Sequence, residues 1–152
     1  EIVVFNRSHY EDVLVVRVDE LVPPEVWQAR YAQINDFERL LTQCDIKVVK
    51  IFLHISKAEQ RRRFEERIHE PRKQWKFDPE DLLKRGKWSA YQRAYGDMLG
   101  RCNTAQAPWY VVPADHKWLR DLAVAQILLR TLKSLSLRFP PPKFDPRRIK
   151  VR

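Results

Sequence analysis

Asn6-Arg7-Ser8-His9-Tyr10-Glu11-Asp12 stands directly behind the apolar run Ile2-Val3-Val4-Phe5. A short continuous apolar run reads as a buried parallel strand. The polar residues then emerge at its carboxyl end, the edge where open α/β sheets bind ligands. A guanidinium, two hydroxyls, an imidazole and two adjacent carboxylates at such an edge can hold phosphate together with a hydrated Mg²⁺. Arg7 can fork two phosphate oxygens. Glu11 and Asp12 are placed to hold Mg²⁺ through water or to orient an acceptor, and Asn6 and Ser8 add polar contacts beside them. An ordinary polar strand-to-helix loop would have the same composition, and the octapeptide from Phe5 to Asp12 alone does not separate the two readings.

A second charged group lies further along. Arg61, Arg62 and Arg63 form a run, followed by Arg67, Lys73 and Lys76. Helical geometry puts at most two of the three consecutive arginines on one face. Binding a polyanion needs such rows of cations, but Glu65, Glu66 and Glu70 could equally pair with the arginines on a helix surface. Lys73 and Lys76 are the better binding candidates, and Trp75 between them reads as packing rather than as a stacking platform. Asp115 and Lys117 could meet a ligand at the sheet edge, or serve as a helix cap and a surface lysine. His9 reads as a hydrogen-bonding loop residue and His54 as a core or edge histidine; neither has the Cys/His spacing of a metal site.

The elements that must position these groups alternate. Pro23-Pro24 opens a helix, along which Trp27, Tyr31, Ile34, Phe37 and Leu41 form an apolar stripe. The segment from Ile46 to Ile55, β-branched and apolar apart from Lys47 and Lys50, predicts a central strand. Ser56-Lys57-Ala58-Glu59 has the capping-box spacing, and Pro71 ends the helix it starts. Asp78-Pro79-Glu80-Asp81 starts another. Trp88, Tyr91, Tyr95, Met98 and Leu99 mark an amphipathic helix, and Trp109 to Val112 a third strand before Pro113. Asp115 is placed to cap a last helix striped by Trp118, Leu122, Ala125, Leu129 and Leu132. The segment from Val13 to Val18 reads as helix or loop. The alternation predicts an α/β domain over residues 1–140, with a parallel sheet flanked by helices. A charge-rich helical insertion over about 57–100 has the place of a lid, and residues 141–152 read as an extended basic tail.

Composition narrows the partners. The chain carries net charge +9, distributed as −3 over residues 1–56, +4 over 57–88 and +8 over 89–152. That balance favours a polyanion: nucleic acid, polyphosphate, nucleotide or an anionic membrane surface. No run approaches the ~18 apolar residues of a membrane span. Two distant cysteines give neither a disulfide framework nor a metal pattern, so a reducing cytoplasm is the expected compartment.

Four blocks together resemble the family 2 polyphosphate kinases. Ile2 to Val16 is similar to their Walker B region, where a strand ends in Asp/Asn-Arg-Ser. Lys73-Gln74-Trp75-Lys76-Phe77-Asp78-Pro79-Glu80-Asp81-Leu82 resembles their lid signature, and Trp88-Ser89-Ala90-Tyr91 the helix after it. Ala107 to Trp118 is similar to their late strand and Asp-x-Lys turn. The resemblance implies a P-loop kinase-like fold with a helical lid and Mg²⁺ dependence. It also implies transfer of a terminal phosphoryl group between polyphosphate and AMP, ADP or ATP. Arg7 would be the Walker B arginine. Asn6 stands where many members have Asp, so a metal role at that position would pass to Glu11 or Asp12. Self-association is a further implication.

The Gly-rich phosphate loop is missing. None of Gly86, Gly96 and Gly100 lies in a G-x-x-x-x-G-K pattern. The chain is therefore expected to be a segment of a longer enzyme, inactive alone. Two rival readings are a nucleic-acid-binding module, against which stands the helical spacing of its aromatics, and a non-catalytic polyphosphate-binding scaffold.

Overall fold

A computed structural model describes residues 1–144. It is an α/β arrangement around a two-stranded parallel sheet, β1 (Lys50–His54) and β2 (Trp109–Pro113), registered from Lys50 opposite Trp109 to His54 opposite Pro113. Parallel neighbours need a long crossover, and here it contains the whole helical insertion. Before the sheet come a 3-10 turn (His9–Val13), α1 (Val15–Val18) and α2 (Pro24–Gln43). The crossover holds α3 (Lys57–His69), a 3-10 turn (Gln74–Lys76), α4 (Glu80–Gly86) and α5 (Trp88–Arg101). The last element is α6 (Lys117–Ser134). The predicted tail falls partly outside the described residues; its first part, 141–144, forms neither helix nor strand.

Local signals account for most boundaries. Ser56 Oγ accepts from Glu59 N at 3.0 Å, the expected cap of α3. Asp78 Oδ1 accepts from Glu80 N at 2.9 Å and opens α4. At the end of α2, Asp45 adopts φ 58°, a conformation that short polar residues tolerate. Ile46 N then returns to Leu41 O at 3.0 Å, closing the helix. β1 begins at Lys50 rather than at Ile46 and has only one neighbour among the described residues.

Three further expectations are corrected. Ile2–Phe5 forms no strand; these residues are 62–88% exposed, because no described strand lies beside them to satisfy their backbone. Asp115 does not cap α6: its carboxylate accepts from Ser56 N at 2.7 Å, and α6 starts at His116 without a side-chain cap. The Leu-rich stripe of α6 faces away from the sheet, with Trp118 69% exposed and Leu122, Leu129 and Leu132 also open. The groove along β2 is lined instead by Ala123, Gln126, Ile127 and Arg130.

The core gathers Tyr10, Val13, Leu14, Tyr31, Ile34, Ala94, Met98 and Cys102, with Phe52, Tyr95 and Trp109 packed against it. A fully buried Glu38 lies among them. It occupies the next step of the stripe Trp27-Tyr31-Ile34, whereas Phe37, expected there, is largely exposed. Lys50 Nζ donates to Glu38 Oε2 at 2.7 Å, to Tyr10 OH at 2.9 Å and to the Cys102 carbonyl at 2.6 Å, which uses all three ammonium protons. Tyr10 OH donates to Glu38 Oε1 at 2.7 Å. Burial alone would raise the Glu38 carboxyl. Hydrogen bonding from His9, Lys50 and Tyr10 outweighs it and holds the group below the ordinary carboxylate range.

Removing one partner leaves the other charge buried and unpaired. Lys50→Met should lower stability by about 3–5 kcal/mol, and adding Glu38→Leu should recover much of the loss, read by urea unfolding. Because Glu38 is depressed in the folded state, its stabilisation is present at neutral pH. It should be lost as pH falls below about 4.3 through the lowered value, and the double variant should lack this component.

Candidate active site

The direction of α5 fixes which end of the sheet the chemistry occupies. Its last residues meet the start of β1, where the Cys102 carbonyl binds Lys50. Tyr95 stacks on Phe52 at mid-strand, with centroids 4.8 Å apart. Tyr91, one turn earlier and 6.1 Å from Tyr95, therefore lies toward the carboxyl end. Burial pushes the Tyr91 phenol up to about 12, with Asp19, Tyr95 and Glu11 adding to the rise and Arg7 opposing it. Arg7 and Glu11 thus share this end with Tyr91. Beside them an open depression of about 460 Å³ is lined by Asp19, Glu20, Lys87, Ser89 and Arg93, among others, and Lys87 Nζ is bonded to Asp19 at 2.6 Å.

The two acids diverge. Glu11 lies within electrostatic reach of Tyr91 and Tyr95, whereas Asp12 Oδ2 is 3.9 Å from Arg30 Nε on α2. No group of three or more His, Cys, Asp or Glu residues suited to a metal occurs among the described residues. Mg²⁺ keeps several waters and needs only one or two carboxylates when phosphates supply the rest. Glu11 and Asp12 could each supply such a carboxylate, and Asp12 also faces Arg30 on α2. Ser8 has a local task, its Oγ accepting from Tyr10 N at 3.4 Å as the 3-10 turn begins. Asn6 is exposed and makes no hydrogen bond among the described residues.

At the ends of β1 and β2 the lid is bolted to the sheet. Ala114 N extends the ladder to the His54 carbonyl at 2.8 Å, and Asp115 holds Ser56 N, which lowers the Asp115 carboxyl. Arg63 crosses from α3 to the Ala114 carbonyl at 2.6 Å while pairing Glu59. From α4, Arg85 Nη1 binds the Lys57 carbonyl and Gln60 Oε1, both at 2.8 Å. The arginine run is largely committed within the helix. Arg61 pairs Glu65 and Arg62 pairs Glu59, each at 2.7 Å, and Glu59 is drawn down to about 2 by its hydrogen bonds to Arg62 and Arg63. Arg67 is 3.8 Å from Asp81, and Lys73 is bonded to Glu66.

Three of the predicted binding cations remain without an ion pair among the described residues: Arg7, Lys76 and Lys117. Lys117 lies within charge reach of Glu66, so it stands near Lys73. Trp75, expected to pack, is 78% exposed, and Lys76 Nζ sits 5.0 Å over its ring. The 3-10 turn Gln74–Lys76 is a tip projecting from α3 and α4, with no core beneath it for an indole to enter.

A family model described as "Polyphosphate kinase 2 (PPK2)" matches residues 1–140, which takes in both the Arg7 loop and the lid. The chain belongs to the polyphosphate kinase 2 family. It is 51% identical over 143 residues to an AMP/ADP-polyphosphate phosphotransferase of Meiothermus ruber, an alignment covering 94% of this chain and 54% of that protein. It is 43% identical to an ADP-polyphosphate phosphotransferase of Rhodopseudomonas palustris, with 90% and 52% covered. The crystal structure of polyphosphate kinase 2 from Arthrobacter aurescens TC1 superposes with a TM-score of 0.91 at 43% identity, covering 94% of this chain and 50% of that one. This PPK2 chain thus spans about half the length of the relatives it matches, and its α/β core with a helical lid is their P-loop kinase-like fold. All three of its glycines lie within α4 and α5, so none cradles a phosphate.

Sequence reasoning missed Glu38, Arg63 as a cross-strap and Arg85. A charge at a stripe position was the available signal for Glu38; nothing in the pattern marks the other two. Arg63→Ala should cost about 1.5 kcal/mol because it frees a carbonyl at the lid base. Arg61→Ala should leave the unfolding midpoint within error. Parallel denaturant titrations compare them.

Proposed function

We propose that this chain is the lid-bearing part of an enzyme that moves a terminal phosphoryl group between inorganic polyphosphate and an adenine nucleotide. AMP or ADP would be converted to ADP or ATP, or the reverse. The family match across residues 1–140 carries the reading, and the names of the Meiothermus and Rhodopseudomonas relatives support it. The chemistry asks for positioning and charge neutralisation more than for covalent participation. Arg7 would fork the transferring phosphate at the carboxyl end of the sheet. Lys76, displayed on Trp75 at the lid tip, would engage the polyphosphate chain together with Lys117, while Lys73 and Arg67 would trade their acidic partners for phosphate oxygens as the lid closes. Asp115 would act by holding the start of α3. Mg²⁺, bound through Glu11 and water, would supply charge neutralisation between the phosphates.

Turnover would also need a Gly-rich phosphate loop. Joined to the part of the Meiothermus ruber relative that it does not match, the chain should phosphorylate AMP or ADP from polyphosphate in the presence of Mg²⁺. Arg7→Ala in the joined protein should lower kcat by at least about 100-fold. Alone, the 152 residues should show no turnover, and robust activity would remove the requirement for that loop. Trp75 and Trp118 are exposed, contrary to the expectation that the aromatics are core, so nucleic acid is retained as a second reading. Single-stranded DNA displacing polyphosphate at equal or better affinity would favour it.

Among the described residues no helix is long and apolar enough to cross a membrane. A cytoplasmic location and self-association complete the proposal, the open Leu-rich side of α6 supporting the second. Light scattering should then give a mass above the 18.3 kDa of one chain; a strictly monomeric chain would remove that element.

A further inference from the structure

His9 and Tyr10 begin the 3-10 turn two residues after Arg7, and both reach one oxygen of one buried carboxylate. Tyr10 OH donates to Glu38 Oε1 at 2.7 Å, and His9 Nε2 lies 3.4 Å from the same atom. The other oxygen is fixed by Lys50. The His9 ring is further steadied edge-on by Phe37, with centroids 5.4 Å apart, and the Tyr10 ring by Trp109 at 4.8 Å. Ser8 closes the turn through its Oγ to Tyr10 N, and Glu11 N donates to the Ser8 carbonyl at 3.1 Å. Arg7 thus leads directly into a turn whose orientation is set at Glu38.

Packing alone would not give that orientation. Val13 and Leu14 anchor the far end of the turn in the core, but apolar contact is non-directional. A buried ion pair is no better for stability than well-packed apolar side chains of the same volume, so its presence calls for another reason. The directional Tyr10 bond to Oε1, with the His9 ring nitrogen 3.4 Å from the same atom, supplies one: together they fix how the turn rotates, and with it where the residue at position 7 points.

We propose that Glu38, acting through His9 and Tyr10, is a positioning residue that aims Arg7 at the phosphate it binds. The inference rests on the functional reading of Arg7 given above. Phosphoryl transfer tolerates misplacement poorly, a shift of ~1 Å being enough to cost about 100-fold, so a fixed carboxylate behind the arginine is the expected construction.

The double substitution Tyr10→Phe with His9→Ala cuts both tethers and also the Lys50 bond to the Tyr10 hydroxyl, while leaving the Tyr10 ring, the direct Glu38–Lys50 bond and the apolar anchors in place. In the full chain, inorganic tripolyphosphate titrated by calorimetry should bind about tenfold more weakly to this variant than to the parent. In an Arg7→Ala background the same two substitutions should change the affinity by less than about twofold, because the tether acts only through Arg7. An equal loss in both backgrounds, or no loss in either, would overturn the proposal. Backbone order parameters give a second reading independent of ligand. At Arg7 and Ser8 they should fall from near ~0.85 to below ~0.6 in the double variant, with α2 and α5 unchanged. Unaltered order at Arg7 would equally refute the tether. Failure of the functional reading would show separately, as absence of phosphate transfer in the joined protein with the order parameters still responding.

Discussion

The fold turns on one buried ion pair. Glu38 from α2 and Lys50 from β1 meet where the 3-10 turn, α5 and the start of the sheet converge, and every proton of the ammonium is used there. Two charges out of water are tolerated only because the carboxylate also receives the Tyr10 hydroxyl and faces His9. Four elements are locked by this contact in one relative placement. Tyr10 could not pack on Trp109, nor α5 bring Cys102 over the strand, with the pair displaced. The loop carrying Arg7 inherits its position from the same place.

Elsewhere, electrostatics sorts the cations into two kinds. Arg63 and Arg85 are structural, each binding a backbone carbonyl that joins the lid to the sheet or one lid helix to another. Arg61 and Arg62 are spent on glutamates a turn away. Of the cations singled out as binding candidates, Arg7 at the carboxyl end of the sheet, Lys76 over an exposed indole and Lys117 at the start of α6 have no ion pair among the described residues. For these candidates, placement at one end of the sheet matters more than the chain's net charge of +9.

The apolar surface carries a related lesson. Residues patterned for burial, in Ile2–Phe5 and along α6, lie open, and the sheet has two strands where the alternation predicted three. Periodicity records which side chains are suited to burial; it does not supply the neighbour that buries them. The chain spans about half the length of the PPK2 relatives it matches.

Sequence by itself determined the helices and their caps, because capping boxes, Pro positions and 3.6-residue stripes are local in origin. Ser56 with Glu59, and Asp78 before Glu80, do what their spacing says. It also determined the family, through four short blocks in a fixed order, and pointed to Arg7, Lys73 and Lys76. Tertiary structure decided which of those charges are free, since Glu66 claims Lys73 while Lys76 is left on Trp75. It decided that Asp115 bridges to Ser56 across the sheet rather than capping α6, and that Glu11 and Asp12 turn to different neighbours. Above all it placed Glu38 inside: the stripe position was visible in the sequence, but a glutamate there is buried only because Lys50, twelve residues on, arrives opposite it. Such pairings depend on contacts between elements, which spacing along a chain does not encode.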